Sequence, residues 1–373
     1  MVIMALDHVR DFMQTTSMSQ SPTDLQTTTA TLFMTRWITH LCAPTFVFLS
    51  GISAYIAYKR SNNLSESRKF LLTRGIWLVF LEFTIINFAL WFDIHFHFEI
   101  LEVLSAIGFS FIILGLMLKL PLRVIGIAGI IIIFGHNLLQ GINIPANPAV
   151  SFIFSVFFRP SLFQLTHDFS LYTAYPVIPW LGIMLVGFAC GELFEIPSEK
   201  RNKILLSAGL SILALFVIIR FINVYGDPVT WAIQKSAVFT LLSFINTTKY
   251  PPSLLFTLMI LGITFLLLFI SEKVKNKFTE ILSVYGKVPL FYFVIHLYII
   301  HSLMFVMLFL QGFKGKDLLF GVFNNGRPKT GGGVDLTEIY LIWLAVVILL
   351  YPVCKWYGRF KLKNKQNKFL RYL

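Results

Sequence analysis

Two carboxylates, two imidazoles and two guanidiniums stand near the start of this 373-residue chain: Asp7, His8, Arg10 and Asp11 in one short run, Arg36 and His40 in another. On a helix, residues three or four apart share a face. Asp7 and Arg10 are three apart, as are His8 and Asp11, so either pair could contact on one helix, and Arg36 and His40 share a helix face. A carboxylate hydrogen-bonded to an imidazole fixes its tautomer and raises its basicity, which is how a general base is made near neutral pH. The plainer reading is that these groups satisfy one another at a helix end.

Other ionisable residues fall inside apolar runs, where each costs a few kcal/mol to place. Arg74 and Glu82 are two turns apart on one face, which suggests a structural ion pair with another helix. Glu99 and Glu102 begin a third apolar run, His136 sits in a fourth and Glu192 closes a fifth. Tyr292 and His296 are one turn apart in a late run that also holds His301. His95 and His97 invite a metal reading, but no ligand set stands near them, and no metal is expected. His167 and Asp168 occupy a polar loop. Cys42, Cys190 and Cys354 have no disulfide or metal spacing and read as packing residues. The sequons at Asn63 and Asn246 match by chance often enough to be discounted.

The elements that must position these groups are membrane spans. The chain is 56% hydrophobic and only 13% charged, against about a quarter charged in ordinary globular chains. Soluble domains and disorder are both excluded. Nine runs are long enough to cross a bilayer: 33–58, 70–92, 99–118, 123–142, 175–194, 203–224, 251–271, 288–311 and 336–356. The expected fold is an all-α polytopic transmembrane bundle of about nine to ten spans plus a partial N-terminal helix. It forms one domain over 1–373, with a basic tail at 355–373. The run 149–158 is apolar but short, and reads as interfacial or re-entrant. Met1–Leu6 is too short to cross. It reads as the second half of a helix, 1–13, whose first half precedes Met1 and would supply a tenth span.

Lys and Arg orient the bundle. With 14–32 outside, the basic loops around Lys59–Lys69, Lys119–Arg123, Lys200–Lys203, Lys273–Lys287 and the tail all fall inside. The loop 312–335 dissents, with four basic residues outside. The net charge of +13 then reflects cytoplasmic loops rather than nucleic acid. No repeat is visible, which does not favour an inverted-repeat transporter. Gly187 and Gly191 form a small-xxx-small pair that signals close helix packing.

Five stretches carry a resemblance: Met4–Phe12, Thr35–Gly51, Tyr175–Met184, Thr247–Ser253 and Gly286–His296. Across nearly its whole length the chain resembles bacterial membrane proteins grouped with the heparan-α-glucosaminide N-acetyltransferase catalytic domain. The resemblance implies transmembrane acetylation, with cytoplasmic acetyl-CoA as co-substrate and a glycan amine or hydroxyl outside as acceptor. Members usually begin with an Asp-x-x-Arg-Gly segment just before the stretch matching 1–12, and that segment is missing from this sequence. The eukaryotic enzyme uses a histidine of the first outer loop as base, whereas 14–32 holds none. His8 and His40 flank that loop and are the substitutes, with Asp7 or Asp11 as orienter and Arg36 or Arg10 as oxyanion or substrate contact. On the donor side, Arg74 and Lys287 would meet phosphates, and the acyl arm would pass Tyr292 and approach His296.

The expected partners are acyl-CoA, an envelope glycan and the bilayer of a bacterial inner membrane, with the C-terminus cytoplasmic. A second copy of the chain stays a candidate partner, and nucleic acid is not expected. Two other readings stay open: a proton-coupled transporter using His296, His301 and Glu82, and a non-catalytic membrane protein of the same fold.

Overall fold

The computed structural model describes residues 1–141, 147–364, 366, 367 and 370. The end of the expected 123–142 span, and Lys365, Lys368 and Arg371 of the tail, lie outside the described residues. Among those described, eight helices are long and apolar enough to cross a membrane, and the protein is an all-α polytopic membrane bundle.

A short amphipathic helix, α1 (Val2–Met13), comes first. Next come α2 (Ala30–Thr39) and α3 (Cys42–Ser61), which together make the first long span with a break at His40–Leu41. Thr29 caps α2 by accepting from the Leu32 N–H at 3.2 Å. The second span joins α4 (Leu64–Leu81) and α5 (Asn87–Trp91) through a π-helical turn, Glu82–Ile86. Such turns widen a helix by one residue and free backbone groups. In this span Asn87 takes up the slack, donating to the carbonyls of Glu82 and Ile100 and accepting from the Ile100 N–H.

Then follow α6 (Val103–Met117), α7 (Leu122–Gly135), α8 (Pro148–Phe158), α9 (Val177–Cys190) and α10 (Ser198–Ile222). After a long excursion come α11 (Ala237–Ile245), α12 (Leu254–Lys273), α13 (Lys277–Gly286), α14 (Pro289–Leu310) and α15 (Leu336–Lys363). The nine expected runs all appear as helix. The third is shorter than expected: residues 99–101 belong to a strand that begins at Phe98, and α6 has 15 residues. The run at 149–158 is α8, 11 residues long.

Glycines let the backbones meet. A Cβ on Gly51 of α3 would stand 2.3 Å from the Met184 carbonyl oxygen of α9, and one on Gly187 would stand 2.2 Å from that of Phe48. Both are far inside van der Waals contact, so α3 and α9 pack through bare backbone, as the Gly187–Gly191 spacing suggests.

The connections 14–29, 92–102, 159–176, 223–253 and 311–335 gather at one end of the bundle. There β1 (Phe98–Leu101) pairs in parallel with β3 (Ser170–Thr173), which pairs antiparallel with β2 (Leu162–Gln164). Leu101 lies opposite Thr173, so the two strands deliver Glu102 and Tyr175 side by side. The N–H groups of Ala174 and Tyr175 both donate to the Leu101 carbonyl at 3.1 Å. A two-residue hairpin, β4 (Phe320–Gly321) with β5 (Asn324–Asn325), sits nearby. Arg327 ties the last connection to the first, donating to the Gln14 carbonyl at 2.8 Å and the Ser17 hydroxyl at 2.7 Å. The opposite end carries the basic turns, where Arg201 pairs with Glu272 and Lys59 with Glu195.

Candidate functional site

At the loop end, a cavity of about 100 Å³ opens between α1, α2, the end of β1 and the 247–253 segment. Asp7, His8 and Asp11 of α1 line it, with Arg36 and Thr39 of α2 and Cys42 of α3. Glu102, Tyr175, Lys249 and Tyr250 close the far side, and Met4, Phe46 and Phe293 supply apolar wall. A space that small, polar on one side and apolar on the other, suits an acyl group more than a whole sugar.

The ion-pair network runs through Asp7. One carboxylate oxygen accepts from Arg10 at 3.1 Å and the other from Arg36. Arg10 also reaches Asp11 at 3.5 Å. Arg10 is buried, and among the described residues only Asp7 and Asp11 balance it. Arg36 also stands 3.4 Å from the Tyr250 hydroxyl. The two guanidiniums are therefore held by carboxylate before any ligand arrives.

His8 faces the cavity with one side of its ring and α14 with the other. Its ring meets that of His296 edge-on, centroids 5.1 Å apart, and lies 6.4 Å from Phe293. His296 hydrogen-bonds the Tyr292 carbonyl through Nδ1 at 2.8 Å. Its Nε2 and the Tyr292 hydroxyl are both buried without a hydrogen-bond partner among the described residues, and the two rings stack at 5.1 Å. Two orphaned polar groups inside a helix bundle are costly unless something else meets them.

His40 does not join the cavity wall. It is buried, edge-on to Phe256 at 5.5 Å, with Nδ1 unpartnered among the described residues. The i,i+4 spacing from Arg36 fails because the last turn of α2 tightens, with the His40 N–H donating to Trp37 three residues back, and the chain then bends into α3. Arg10 also lies behind the wall rather than on it. Arg74 sits on α4 with its guanidinium 5.9 Å from the Phe70 ring, and Lys287 is exposed at the junction of α13 and α14.

The other expected groups serve structure. Glu82 has no ion pair among the described residues. Its carboxylate accepts from the Ser105 N–H at 2.6 Å, capping the start of α6, because the π-turn aims it there. His301 contacts the carbonyls of Ala89 at 2.7 Å and Asn325 at 2.9 Å. His136 contacts the Pro252 carbonyl at 2.7 Å. His97 closes its own turn on Asp93 at 2.7 Å, and the two N–H bonds to Asp93 from His95 and His97 hold that carboxyl below its ordinary range. His167 and Asp168 pair with each other in the open, away from the cavity.

Lys249 and Tyr250 contribute to the wall from the excursion after α10, and buried Arg220 and half-buried Asp227 hold that excursion in place. Arg220 donates to the carbonyls of Val229, Ser243, Phe244 and Asn246. Asp227 accepts from the Thr248 N–H at 2.8 Å, the Thr248 hydroxyl at 2.9 Å and the Ser253 hydroxyl at 2.6 Å. Spacing arguments do not reach Lys249 and Tyr250, since both sit in a loop. The signal that contains them is the Thr247–Ser253 stretch, just as Tyr175 opens another of the quoted stretches.

Electrostatics at the wall follow from burial and charge. Burial pushes Glu102 up to about 7. For Tyr250 burial acts upward, but the charges of Lys249 and Arg36 outweigh it and hold the phenol below its usual value. Tyr175, buried against Tyr250, is held well above it.

Residues 1–219 match the family model described as heparan-alpha-glucosaminide N-acetyltransferase, catalytic. The chain belongs to that family. No curated protein and no solved structure matches it. The protein is thus a multi-pass member of a membrane acetyltransferase family. The matched part of this acetyltransferase-family chain carries α1 to most of α10, and with them Asp7, His8, Asp11, Arg36, Glu102 and Tyr175. Lys249, Tyr250, His296 and Tyr292 lie beyond it.

Proposed function

We propose that this protein moves an acetyl group from cytoplasmic acetyl-CoA to an amine or hydroxyl of a glycan on the outer side of a bacterial inner membrane. The loop end faces out and the C-terminus lies in the cytoplasm, in keeping with the basic turns at the opposite end. The observation that carries the reading is His8: it stands on a small polar cavity at the loop end while its ring meets His296 on α14, the helix that rises from the opposite end.

The chain's own groups suit the reaction. His8 takes the proton from the acceptor nitrogen or oxygen as that atom attacks the acyl carbon. Asp11, three residues along α1 and on the same wall, would orient His8 once an acceptor is bound; in the structure it pairs with Arg10 at 3.5 Å, and among the described residues no carboxylate oxygen lies within 4.0 Å of the His8 ring nitrogens. The apolar groups Met4, Phe46 and Phe293 exclude water from a reactive thioester.

Acetyl-CoA fits the residues present on the other side of His8. Its pantetheine arm carries amides that would partner the orphaned Tyr292 hydroxyl and His296 Nε2. Exposed Lys287 and half-buried Arg74 suit its phosphates. A proton-relay reading finds less support, because both ring nitrogens of His301 contact backbone carbonyls and one Glu82 oxygen caps α6 through the Ser105 N–H.

Purified protein in detergent, given acetyl-CoA and glucosamine, should form N-acetylglucosamine. Acetyl-CoA at 100 times its dissociation constant should stabilise the fold by about 2.7 kcal/mol. Neither transfer nor a thermal shift across a panel of amino sugars and acyl-CoAs would overturn the reading.

A further inference from the structure

Acyl transfer needs a cation or hydrogen-bond donor where the carbonyl oxygen becomes an oxyanion, and that donor works best when no other anion already neutralises it. The two guanidiniums near His8 fail this condition. Arg10 is off the wall and shared by Asp7 and Asp11, and Arg36 is paired to Asp7. Among the described residues, one other basic side chain lines the cavity, Lys249.

Lys249 is only 8% exposed, and among the described residues no carboxylate oxygen lies within 4.0 Å of its ammonium. The nearest compensation comes from Tyr250, whose phenol group interacts with the Lys249 side chain and whose ring centroid stands 4.9 Å from Nζ, with that of Tyr175 at 6.0 Å. Cation–π contact is worth about 0.5–2 kcal/mol, less than the several kcal/mol that burying an ammonium costs. The ammonium has no carboxylate in contact with it among the described residues, although Asp7, Asp11 and Glu102 share the cavity wall. The site is also rigid, since Asp227 fixes Thr248 on one side of Lys249 and Ser253 beyond the turn, while Arg220 fixes the excursion behind.

We propose that Lys249 is the catalytic electrophile of the cavity, its ammonium holding the acyl oxygen as negative charge develops there. The assignment rests on the acetyl-transfer reading and adds a residue outside the matched segment 1–219. The bonds balance without another reactant. The acceptor atom bonds to the acyl carbon and gives its proton to His8. The carbonyl electron pair moves onto the oxygen beside Lys249, then returns as the carbon–sulfur bond breaks and the thiolate departs.

The test is steady-state kinetics of the full chain with acetyl-CoA and glucosamine, comparing wild type, Lys249→Met and Lys249→Arg. Lys249→Met should lower kcat about 10²- to 10³-fold with both KM values within about threefold of wild type, and Lys249→Arg should recover part of the loss. Acetyl-CoA thermal shifts on both variants confirm that they are folded. If Lys249→Met fails to fold, Lys249→Arg and Lys249→Gln carry the comparison. A kcat within about threefold of wild type in folded Lys249→Met or Lys249→Gln overturns the assignment and leaves acetyl transfer standing. So does a change confined to KM for glucosamine 6-phosphate, which would make Lys249 a holder of acceptor anions. A wild type that transfers to no acceptor and from no acyl-CoA of the panel removes the acyltransferase reading and Lys249 with it.

Discussion

The imidazole rings of His8 and His296 meet edge-on, centroids 5.1 Å apart and planes inclined by 64°. One ring belongs to a helix that ends at the loop end, the other to a helix that starts at the opposite end. This contact joins the cavity to the column of Tyr292 and Tyr285 below it, whose rings lie 5.4 Å apart. If acceptor and donor arrive from opposite sides, they meet at this contact.

His8→Ala should lower acetyl transfer about 10²- to 10⁴-fold, the range for a lost general base. Acetyl-CoA binding should persist, since the orphaned groups of Tyr292 and His296 are untouched. His296→Ala should show the reverse bias, raising KM for acetyl-CoA more than it lowers kcat. Initial rates over a grid of both substrates separate the two. Equal loss in both parameters for both variants would refute the division of roles.

Asp7 should matter for stability before it matters for rate. Its carboxylate balances Arg10 and Arg36, whose side chains are 3% and 14% exposed. Asp7→Asn leaves both guanidiniums short of charge. Removing one partner of a buried pair costs about 3–5 kcal/mol, so the melting temperature in detergent should fall by several degrees. Asp7→Asn combined with Arg36→Gln should recover part of that loss, because the uncompensated charge goes with the arginine. A double variant as unstable as the sum of the singles would argue against coupling.

Stability should also decline with rising pH through Glu102. Its folded pKa, about 7, is raised by burial above the ordinary 4.5. A raised acid favours folding when protonated. That contribution is complete below about pH 4.5 and is lost as pH climbs through 7. Glu99, raised by burial to about 7 as well, acts the same way. Glu102→Gln should flatten part of the fall in melting temperature between pH 4.5 and 7, and adding Glu99→Gln should flatten more. An unchanged slope in the double variant would show that other groups set the pH response.

The bundle was readable because each apolar run is long and lies between basic turns, and length alone then requires helix. The short strands were not. Phe98–Leu101 is only four residues, and its partner Ser170–Thr173 lies a whole set of helices away. Within the site, Asp7, His8, Asp11 and Arg36 were readable because i,i+3 spacing and common depth bring them together. His40 was misplaced by a single tightened turn, which no spacing rule records. Lys249 was missed for a different reason: it lies inside the Thr247–Ser253 stretch, but no spacing rule places a loop residue that reaches the wall because Arg220, an arginine inside the 203–224 run, and Asp227 fold the 223–253 excursion back.

That dependence gives the last prediction. Arg220 satisfies four carbonyls at the root of the excursion, and carbonyls stripped of a charged donor each cost about 1–3 kcal/mol. Arg220→Met keeps the length and apolar stem of the side chain but loses every donor. The spans themselves do not rest on it, so the helices should persist while the 223–253 segment loosens. Limited proteolysis should then cut within 223–253 in the variant before it cuts elsewhere, and kcat should fall because Lys249 and Tyr250 are no longer held. Asp227→Asn should do the same to a smaller extent, since a neutral amide oxygen still accepts from Thr248 and Ser253 but more weakly. Cleavage spread evenly over all loops in Arg220→Met would mean that this arginine supports the whole bundle rather than one wall of the cavity.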